Sequence, residues 1–352
     1  MAEGATATIK LMSPEEIAAR GGGAPVMPLR LPDAATLFAE RSLRLRQLAA
    51  GHSMRDYLIF MADISAAQHQ ALAGMPALPM PTAAQIAAAR GVGLPPLPAS
   101  AWPRDPAWQA ALHAIIDQLL PRAPAPAHEA LRQLRGAESA WLEQQADRLL
   151  GGMMLGLDLA AAPLVAAALQ VSWTALVLQT ARAYEQPEMP AFARIADETL
   201  CPCCGSRPTA SITRQVGDVA GQRYLHCSLC AAEWHMVRIQ CPHCLSGRSL
   251  AYQSLQAQDG VAVSLTGVAK DAVQAETCED CGHYLKIVHS ERDPQVEPAA
   301  DDLASLTLDL LVSETGLTRH GHNLMLLFGD PDADPPEAPE APEAPRAPPG
   351  SP

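Results

Sequence analysis

The sequence predicts an all-α helical domain followed by a smaller, metal-bound β region in which two modules each hold four cysteines. Alanine is abundant in the 352 residues and aromatic residues make up only 4%, a composition that favours close-packed helices over a β-sandwich. All nine cysteines lie between residues 201 and 281. Eight of them form four Cys-x-x-Cys pairs, namely Cys201/Cys204, Cys227/Cys230, Cys241/Cys244 and Cys278/Cys281.

The helical domain is expected to span residues 31–190, after a flexible, glycine-containing N-terminus at residues 1–30. Ser53 followed by Asp56 resembles a capping box at the start of a helix. Gly51 is placed to end the helix before it. The helix that Gly51 ends is predicted from the helical spacing of its apolar residues, which are Leu37, Phe38, Leu45 and Leu48.

Further along, Asp105 followed by Pro106 predicts a helix start, and the helix buries one face of apolar residues. Two more helices are predicted over about 127–149 and 163–185, and the whole domain is expected to be a bundle of about six helices. The 21 uncharged residues from Leu159 to Gln179 could span a membrane by length. Polar residues within this stretch, and the lack of basic flanks, favour a buried core helix instead. The apolar face after Pro106 comprises Trp108, Leu112, Ile115 and Leu119.

Charge and cysteine usage narrow the possible functions. The formal net charge is −13, which disfavours non-specific attraction to nucleic acid or to an anionic membrane. The N-terminus has neither an apolar signal region nor twin arginines, so a cytoplasmic protein is expected. In that compartment clustered cysteines are typical of metal ligands rather than of disulfides. The scattered histidines of the helical domain form no catalytic constellation, and the protein is predicted not to be an enzyme.

The spacing of the cysteine pairs predicts how they combine. Pairs one and two are 22 residues apart and pairs three and four are 33 apart, enough for the strands of a rubredoxin-like or zinc-ribbon-like unit. The 10 residues between pairs two and three provide one connecting strand. Pairs one and two are therefore expected to form one tetrathiolate site, and pairs three and four a second, within a double module over 196–290. A cross-brace that combines alternate pairs is the alternative.

Residues within the cysteine segment add detail. Gly205 and Gly282 directly follow the second ligand of their pairs, where a left-handed backbone turns amides toward sulfur. Cys203 is a spare thiol, for which a packing role is expected. Four thiolates accept Zn²⁺ or iron, and spacing does not distinguish the two. A structural scaffold is favoured over iron redox chemistry or oxygen sensing. Four histidines flank the pairs and are expected to support them or to lie at the surface: His226, His235, His243 and His283.

The C-terminal part, residues 291–330, is expected to pack as a helix and a short segment. A strand is predicted over Tyr284 to His289. A final helix is predicted to start near Asp301 and Asp302, whose carboxylates suit a helix N-terminus. In residues 331–352, nine of 22 are proline, so this tail is expected to be disordered. The final helix is expected to bury Leu303, Leu306 and Leu310.

Several segments resemble the FdhE family of formate dehydrogenase accessory proteins. The most specific are RYLHCSLCAAEWHMVRIQCPHC at 223–244, AETCEDCGHYLKIV at 275–288 and DDLASL at 301–306. LFG near 327–329 also fits. The helical half agrees more loosely, through RLRQLA, DYLIFMADISAAQ and APLVAAALQVSW. The eight Cys-x-x-Cys residues match the family pattern position by position, whereas Cys203 and the proline-rich tail depart from it.

The resemblance implies a cytoplasmic maturation factor for respiratory formate dehydrogenases, whose catalytic subunit is exported folded by the twin-arginine route. It also implies rubredoxin-type sites with two bound metal ions, iron being favoured over zinc. The catalytic subunit is then the expected partner, bound at a face formed by Arg223, Trp234, His235 and Arg238. One alternative is a redox protein that transfers electrons or sulfur during assembly. Another is a nucleic-acid-binding zinc ribbon, disfavoured by six basic against seven acidic residues within 201–281.

Overall fold

The computed structural model of the protein describes residues 26–185, 190–216, 219–255 and 271–327. The predicted disordered tail lies outside these residues, as does the predicted flexible N-terminus up to residue 25. Residues 26–30 do belong to the described chain, and Leu29–Arg30 forms the first strand, β1. Part of the segment predicted to be flexible therefore forms a strand.

The N-terminal part is helical, as predicted. A 3-10 turn, Leu120–Arg122, follows the fourth helix. The seven α-helices found between residues 31 and 185 are α1 (Leu37–Leu48), α2 (Arg55–Ala73), α3 (Ala83–Gly91), α4 (Ala107–Leu119), α5 (Ala125–Arg135), α6 (Ser139–Gly151) and α7 (Ala162–Ala183).

Two local predictions for these helices are wrong. The capping box at Ser53 does not form, because α2 begins at Arg55 and the Met54 amide donates to Nδ1 of His52 at 3.0 Å. The single helix expected over 127–149 is two helices, α5 and α6, which are separated at Gly136. Glycine lacks a side chain to restrict its backbone and weakens a helix interior, which explains the break.

Helix α7 is the buried core helix that the sequence predicts. It is long and apolar enough to cross a membrane, but 83% of its most apolar 18-residue window is buried inside the protein. The Gln170 amide within it accepts a hydrogen bond from Gln68 of α2 at 2.9 Å and donates one to the Ser228 carbonyl at 2.8 Å. Gln170 therefore links helices α2 and α7 to the cysteine region.

The described strands form one sheet with the order β1-β4-β3-β2-β7-β6-β5, and β8 pairs with β7. Strands β2 and β7 are parallel, with Ser211 opposite Ile287, and this pairing joins the two cysteine modules into a continuous sheet. The connecting strand expected between pairs two and three is short, since β4 covers only Glu233–His235. The strands after β1 are β2 (Pro208–Val216), β3 (Val219–Cys227), β4 (Glu233–His235), β5 (Leu250–Gln253), β6 (Val273–Cys278), β7 (His283–His289) and β8 (Thr318–Arg319).

Buried ion pairs connect the helical domain to the C-terminal part, whose helices are α8 (Pro298–Ala304) and α9 (Leu306–Ser313). In α1, Nη2 of Arg44 lies 2.6 Å from Asp301 and 2.8 Å from Asp293. Nearby, Arg41 pairs with Glu297 at 2.9 Å. The side chains of Arg44 and Asp301 are 3% and 0% exposed, so this pairing is inaccessible to water.

Of the two carboxylates predicted at the start of the final helix, Asp301 lies in the first turn of α8, and its Oδ2 accepts a hydrogen bond from the Glu297 amide at 2.7 Å. The N-terminal cap is Glu297, which accepts a hydrogen bond from the Ala300 amide at 2.7 Å. Asp302 lies beyond the first turn, so the helix-start role predicted for it is wrong. Asp302 is 1% exposed and lies 2.9 Å from Nζ of Lys286 and 2.6 Å from Arg319. These carboxylates therefore neutralise buried cations. Leu303 is buried as predicted, whereas Leu306 is half-buried and Leu310 is 59% exposed.

Candidate metal centres

The first cysteine cluster joins the first two pairs. Sγ of Cys204 lies 3.4 Å from Sγ of Cys227 and 3.6 Å from Sγ of Cys230. Sγ of Cys201 lies 3.6 Å from Sγ of Cys230. All four side chains are buried. Hairpin β2–β3 begins after the first pair and leads into the second, so it brings both to one end of the sheet.

The second cluster joins pairs three and four, again as predicted and in place of the cross-brace. Sγ of Cys241 lies 3.8 Å from Sγ of Cys281, and Sγ of Cys244 lies 3.8 Å from Sγ of Cys278. Cys241 and Cys278 are buried, Cys281 is half-buried and Cys244 is exposed. The second cluster is therefore open to solvent on one side.

Each pair sits in a knuckle with the same backbone turn. The residue after the second cysteine has a positive φ in all four, including two that are not glycine: Ala231 at 56° and Leu245 at 61°. A left-handed backbone costs a non-glycine residue roughly 1–2 kcal/mol. Amides at the knuckles point to sulfur, as when His243 donates to Sγ of Cys241 at 3.4 Å. The glycines with this turn are Gly205 and Gly282.

The sulfur geometry fits a tetrahedral metal ion. Bonds of about 2.3 Å from metal to thiolate require sulfurs roughly 3.8 Å apart in a tetrahedron, close to the distances in both clusters. Burial raises the pKa of Cys227 and Cys230 well above that of a free thiol. For Cys201 burial also disfavours the thiolate, but hydrogen bonds from the neighbouring thiols outweigh it and lower the pKa. Only a cation would hold four buried thiolates together.

The first cluster also carries the contact with the helical domain. The carbonyl oxygens of Cys203 and Cys204 accept hydrogen bonds from the amides of Leu97 and Ala99 at 3.1 and 2.8 Å. The Cys203 side chain is 0% exposed, which agrees with the predicted packing role. The loop after α3 thus docks on the first knuckle through the backbone.

The predicted partner face is only partly at the surface. Arg223 is fully buried, with Nη2 2.7 Å from Glu276. Its Nη1 donates to the carbonyls of Val237 and Gln240 at 3.1 and 2.7 Å. Arg223 therefore fixes the chain that leads to Cys241, and its assignment to an exposed binding face is wrong. A buried arginine with these partners is a structural residue.

The other three residues of that face differ in exposure. Trp234 is 5% exposed, and its Nε1 donates to the Glu198 carbonyl at 2.9 Å. His235 is half-buried and Arg238 is exposed. Trp234 and His235 line an apolar groove of about 480 Å³ between the first knuckle and the segment that follows α7. That segment contributes three apolar residues to the groove: Phe192, Ile195 and Leu200.

Comparison with known proteins identifies the family. Residues 26–189 match the FdhE N-terminal model, 200–238 the FdhE central domain and 239–326 the FdhE C-terminal domain. The chain is 39% identical over 329 residues to a "Protein FdhE homolog" of Edwardsiella ictaluri, which covers 92% of the chain and all of that relative. Identity is 40% over 308 residues to the homolog of Klebsiella pneumoniae subsp. pneumoniae, with coverage of 87% and 93%.

A solved structure agrees. The crystal structure of the FdhE protein from Pseudomonas aeruginosa superposes with a TM-score of 0.71 at 39% identity, covering 85% of this chain and 98% of that one. Because three consecutive domain models and relatives of nearly full length match, the resemblance extends through the helical domain, both cysteine clusters and the C-terminal helices. The chain belongs to the FdhE family.

Proposed function

We propose that this protein is a cytoplasmic accessory factor required for the maturation of a respiratory formate dehydrogenase exported by the twin-arginine route. The observation that carries the proposal is the match to all three FdhE domain models over residues 26–326. In this role the protein catalyses no reaction. It binds the catalytic subunit before export, and its two metal centres hold the binding surface in shape.

The apolar groove beside Trp234 supports a location for this contact. Its volume of about 480 Å³ lies within the range of ordinary binding pockets, about 300–1,000 Å³. Its lining is mostly apolar, whereas Arg194, Glu198 and His235 supply charged or polar groups. The net charge of −13 attracts only cationic partners over long distances. A partner without a large positive charge has to be recognised by short-range contacts, such as apolar ones. An apolar segment of the catalytic subunit is therefore the proposed occupant.

Blocking this groove is expected to abolish capture of the catalytic subunit. Ala193 is exposed and Ile195 is half-buried, so Ala193→Arg and Ile195→Glu fill or polarise the groove without touching a cysteine. Capture from cytoplasm grown on formate and nitrate should fall at least tenfold, because loss of about 1.4 kcal/mol suffices for that change. Leu155→Glu, at a residue 89% exposed outside the groove, is the matched control. Undiminished capture by both groove variants places the contact elsewhere.

We further infer that the native metal is iron, because the family resemblance implies rubredoxin-type sites. Four thiolates bind Fe or Zn²⁺ with similar geometry, so the sulfur positions are compatible with either. Protein purified at native expression level is expected to contain iron and to absorb visible light in its ferric form, whereas the zinc form is colourless. Metal analysis and the visible spectrum check this. A colourless protein that contains only zinc at native expression level contradicts it.

A further inference from the structure

Three histidines lie beside the solvent-facing side of the second cysteine cluster. The rings of His243 and His283 are stacked with centroids 3.8 Å apart and planes inclined by 13°. The ring of His320 meets His243 edge-on at 4.9 Å. Ring nitrogens of His243 and His283 and Sγ of Cys281 all lie within 4.8 Å of one another. We propose that His243, His283 and Cys281 bind a third metal ion of the Zn²⁺, Co²⁺ or Ni²⁺ class.

The hydrogen bonding of His283 prepares its ring for a metal. Its Nδ1 lies 2.8 Å from the carbonyl oxygen of Cys281. A carbonyl only accepts hydrogen bonds, so Nδ1 carries the proton and Nε2 keeps its lone pair. A backbone carbonyl that fixes the tautomer in this way is the usual partner of a histidine that binds a metal through its other nitrogen. The knuckle itself thus fixes the tautomer of His283 that leaves Nε2 free to bind a metal.

Exposure makes the position accessible. His243 and Cys244 are exposed and Cys281 is half-buried, whereas all four cysteines of the first cluster are buried. An ion could therefore arrive from solvent without opening the sheet. The stacked rings must separate for both lone pairs to face one ion, and His243 is the more exposed of the two side chains. The first cluster, enclosed on all sides, offers no equivalent approach.

The donor set suits a borderline divalent ion. Imidazole and thiolate are the ligands that Zn²⁺ and its neighbours prefer. The thiolate of Cys281 has lone pairs enough to bridge the ion of the tetrathiolate site and the new ion. Two nitrogens and one sulfur leave a fourth position open, as in catalytic zinc sites. His320 is 7% exposed, and its Nε2 has no hydrogen-bond partner among the described residues, so it is the neighbour available to complete the set.

The test uses the full, untagged chain with Zn²⁺ in both tetrathiolate sites. This protein is titrated with Co²⁺ at equilibrium. Wild type is expected to retain two zinc ions and to bind one cobalt ion per chain, with the visible absorption of a tetrahedral nitrogen and sulfur site. The double variant His243→Ala/His283→Ala is expected to lose that cobalt ion and its absorption while keeping two zinc ions. His128→Ala, on α5 in the helical domain, is the matched control and should behave as wild type.

Three results would overturn the proposal. Wild type could bind only two ions in total, whether or not cobalt replaces zinc. The double variant could keep the third ion. It could also lose the zinc of the second cluster, which would make the histidines supports of the tetrathiolate rather than ligands of a separate ion. None of these results depends on the proposed partner, so the test is separate from that of the maturation role.

Discussion

Replacing Cys227 by serine is expected to empty the first metal site and to unfold the sheet around it, while the helical domain keeps its structure. Structural metal ions of this kind contribute on the order of 10 kcal/mol to local folding. Cys278→Ser is expected to do the same at the second site. Metal content and hydrogen exchange of the β2–β3 and β6–β7 hairpins measure both effects.

Cys203→Ser is the matched control for this experiment. Cys203 is as deeply buried as the cysteines of the first cluster, with 0% exposure, but it does not belong to the tetrahedral set. Both tightly bound metals should remain in this variant. Cells that carry it should also keep most of their formate dehydrogenase activity. Undisturbed metal content in Cys227→Ser and Cys278→Ser would mean that the grouping of the cysteines into two sites does not describe the bound state.

Removal of the buried guanidinium of Arg44 is expected to destabilise the protein by about 3–5 kcal/mol, because Asp301 would be left as an unpaired buried charge. Arg46→Ala is the control, since Arg46 is 42% exposed and pairs with Asp63 at 2.6 Å. Exposed pairs are worth about 0–1 kcal/mol. Chemical denaturation of the two variants measures the difference. Equal losses would show that the bridge between α1 and α8 contributes no more than a surface pair.

The loss in Arg44→Ala is expected to be smaller at pH 5 than at pH 8. Burial raises the pKa of Asp301 to about 6 even with the guanidinium of Arg44 opposing it, and removal of Arg44 raises that pKa further. A carboxyl whose folded pKa is raised destabilises the fold progressively as pH rises above its unfolded value of 3.8. At pH 5 the folded variant holds Asp301 protonated and neutral. A loss that does not change between these pH values contradicts this explanation.

Local chemistry explains what could be predicted from the sequence. The grouping of the cysteines follows from chain lengths between pairs, because a hairpin needs enough residues to return to the same ion. The helical domain follows from apolar spacing in an alanine-rich chain. The left-handed turn was predicted only at Gly205 and Gly282, where residue type indicates it. At Ala231 and Leu245 the knuckle imposes the same turn on residues that disfavour it.

Charged residues with distant partners explain most of the errors. From sequence alone Arg223 is placed at the surface and Asp302 at a helix start, because an isolated charge in a sequence is usually solvated. Arg44 and Asp301 are 257 positions apart, and nothing local indicates that they meet. Three of the segments that resemble the FdhE family contain these charged residues. Arg44 lies in RLRQLA, Lys286 in YLKIV, and Asp301 and Asp302 in DDLASL. The three segments meet in buried ion pairs.

The apolar groove could not be predicted for a related reason. Its walls come from residues 26–29, from the segment after α7 and from β4, and only the folded chain places Ile195 near Trp234. The sequence offers one signal, the apolar residues that follow Pro187 and Pro190 and precede the first cysteine pair. A linker can have the same composition. A surface built from segments that are far apart in the sequence can be recognised only in the folded structure.

The central claim is that the protein is needed to produce active formate dehydrogenase, and a deletion strain tests it most directly. Respiratory formate dehydrogenase activity and the amount of its catalytic subunit are measured together in cells grown on formate and nitrate. Without this protein the subunit is expected to be synthesised but inactive, and the wild-type gene should restore activity. Full respiratory formate dehydrogenase activity in the deletion strain would contradict the claim.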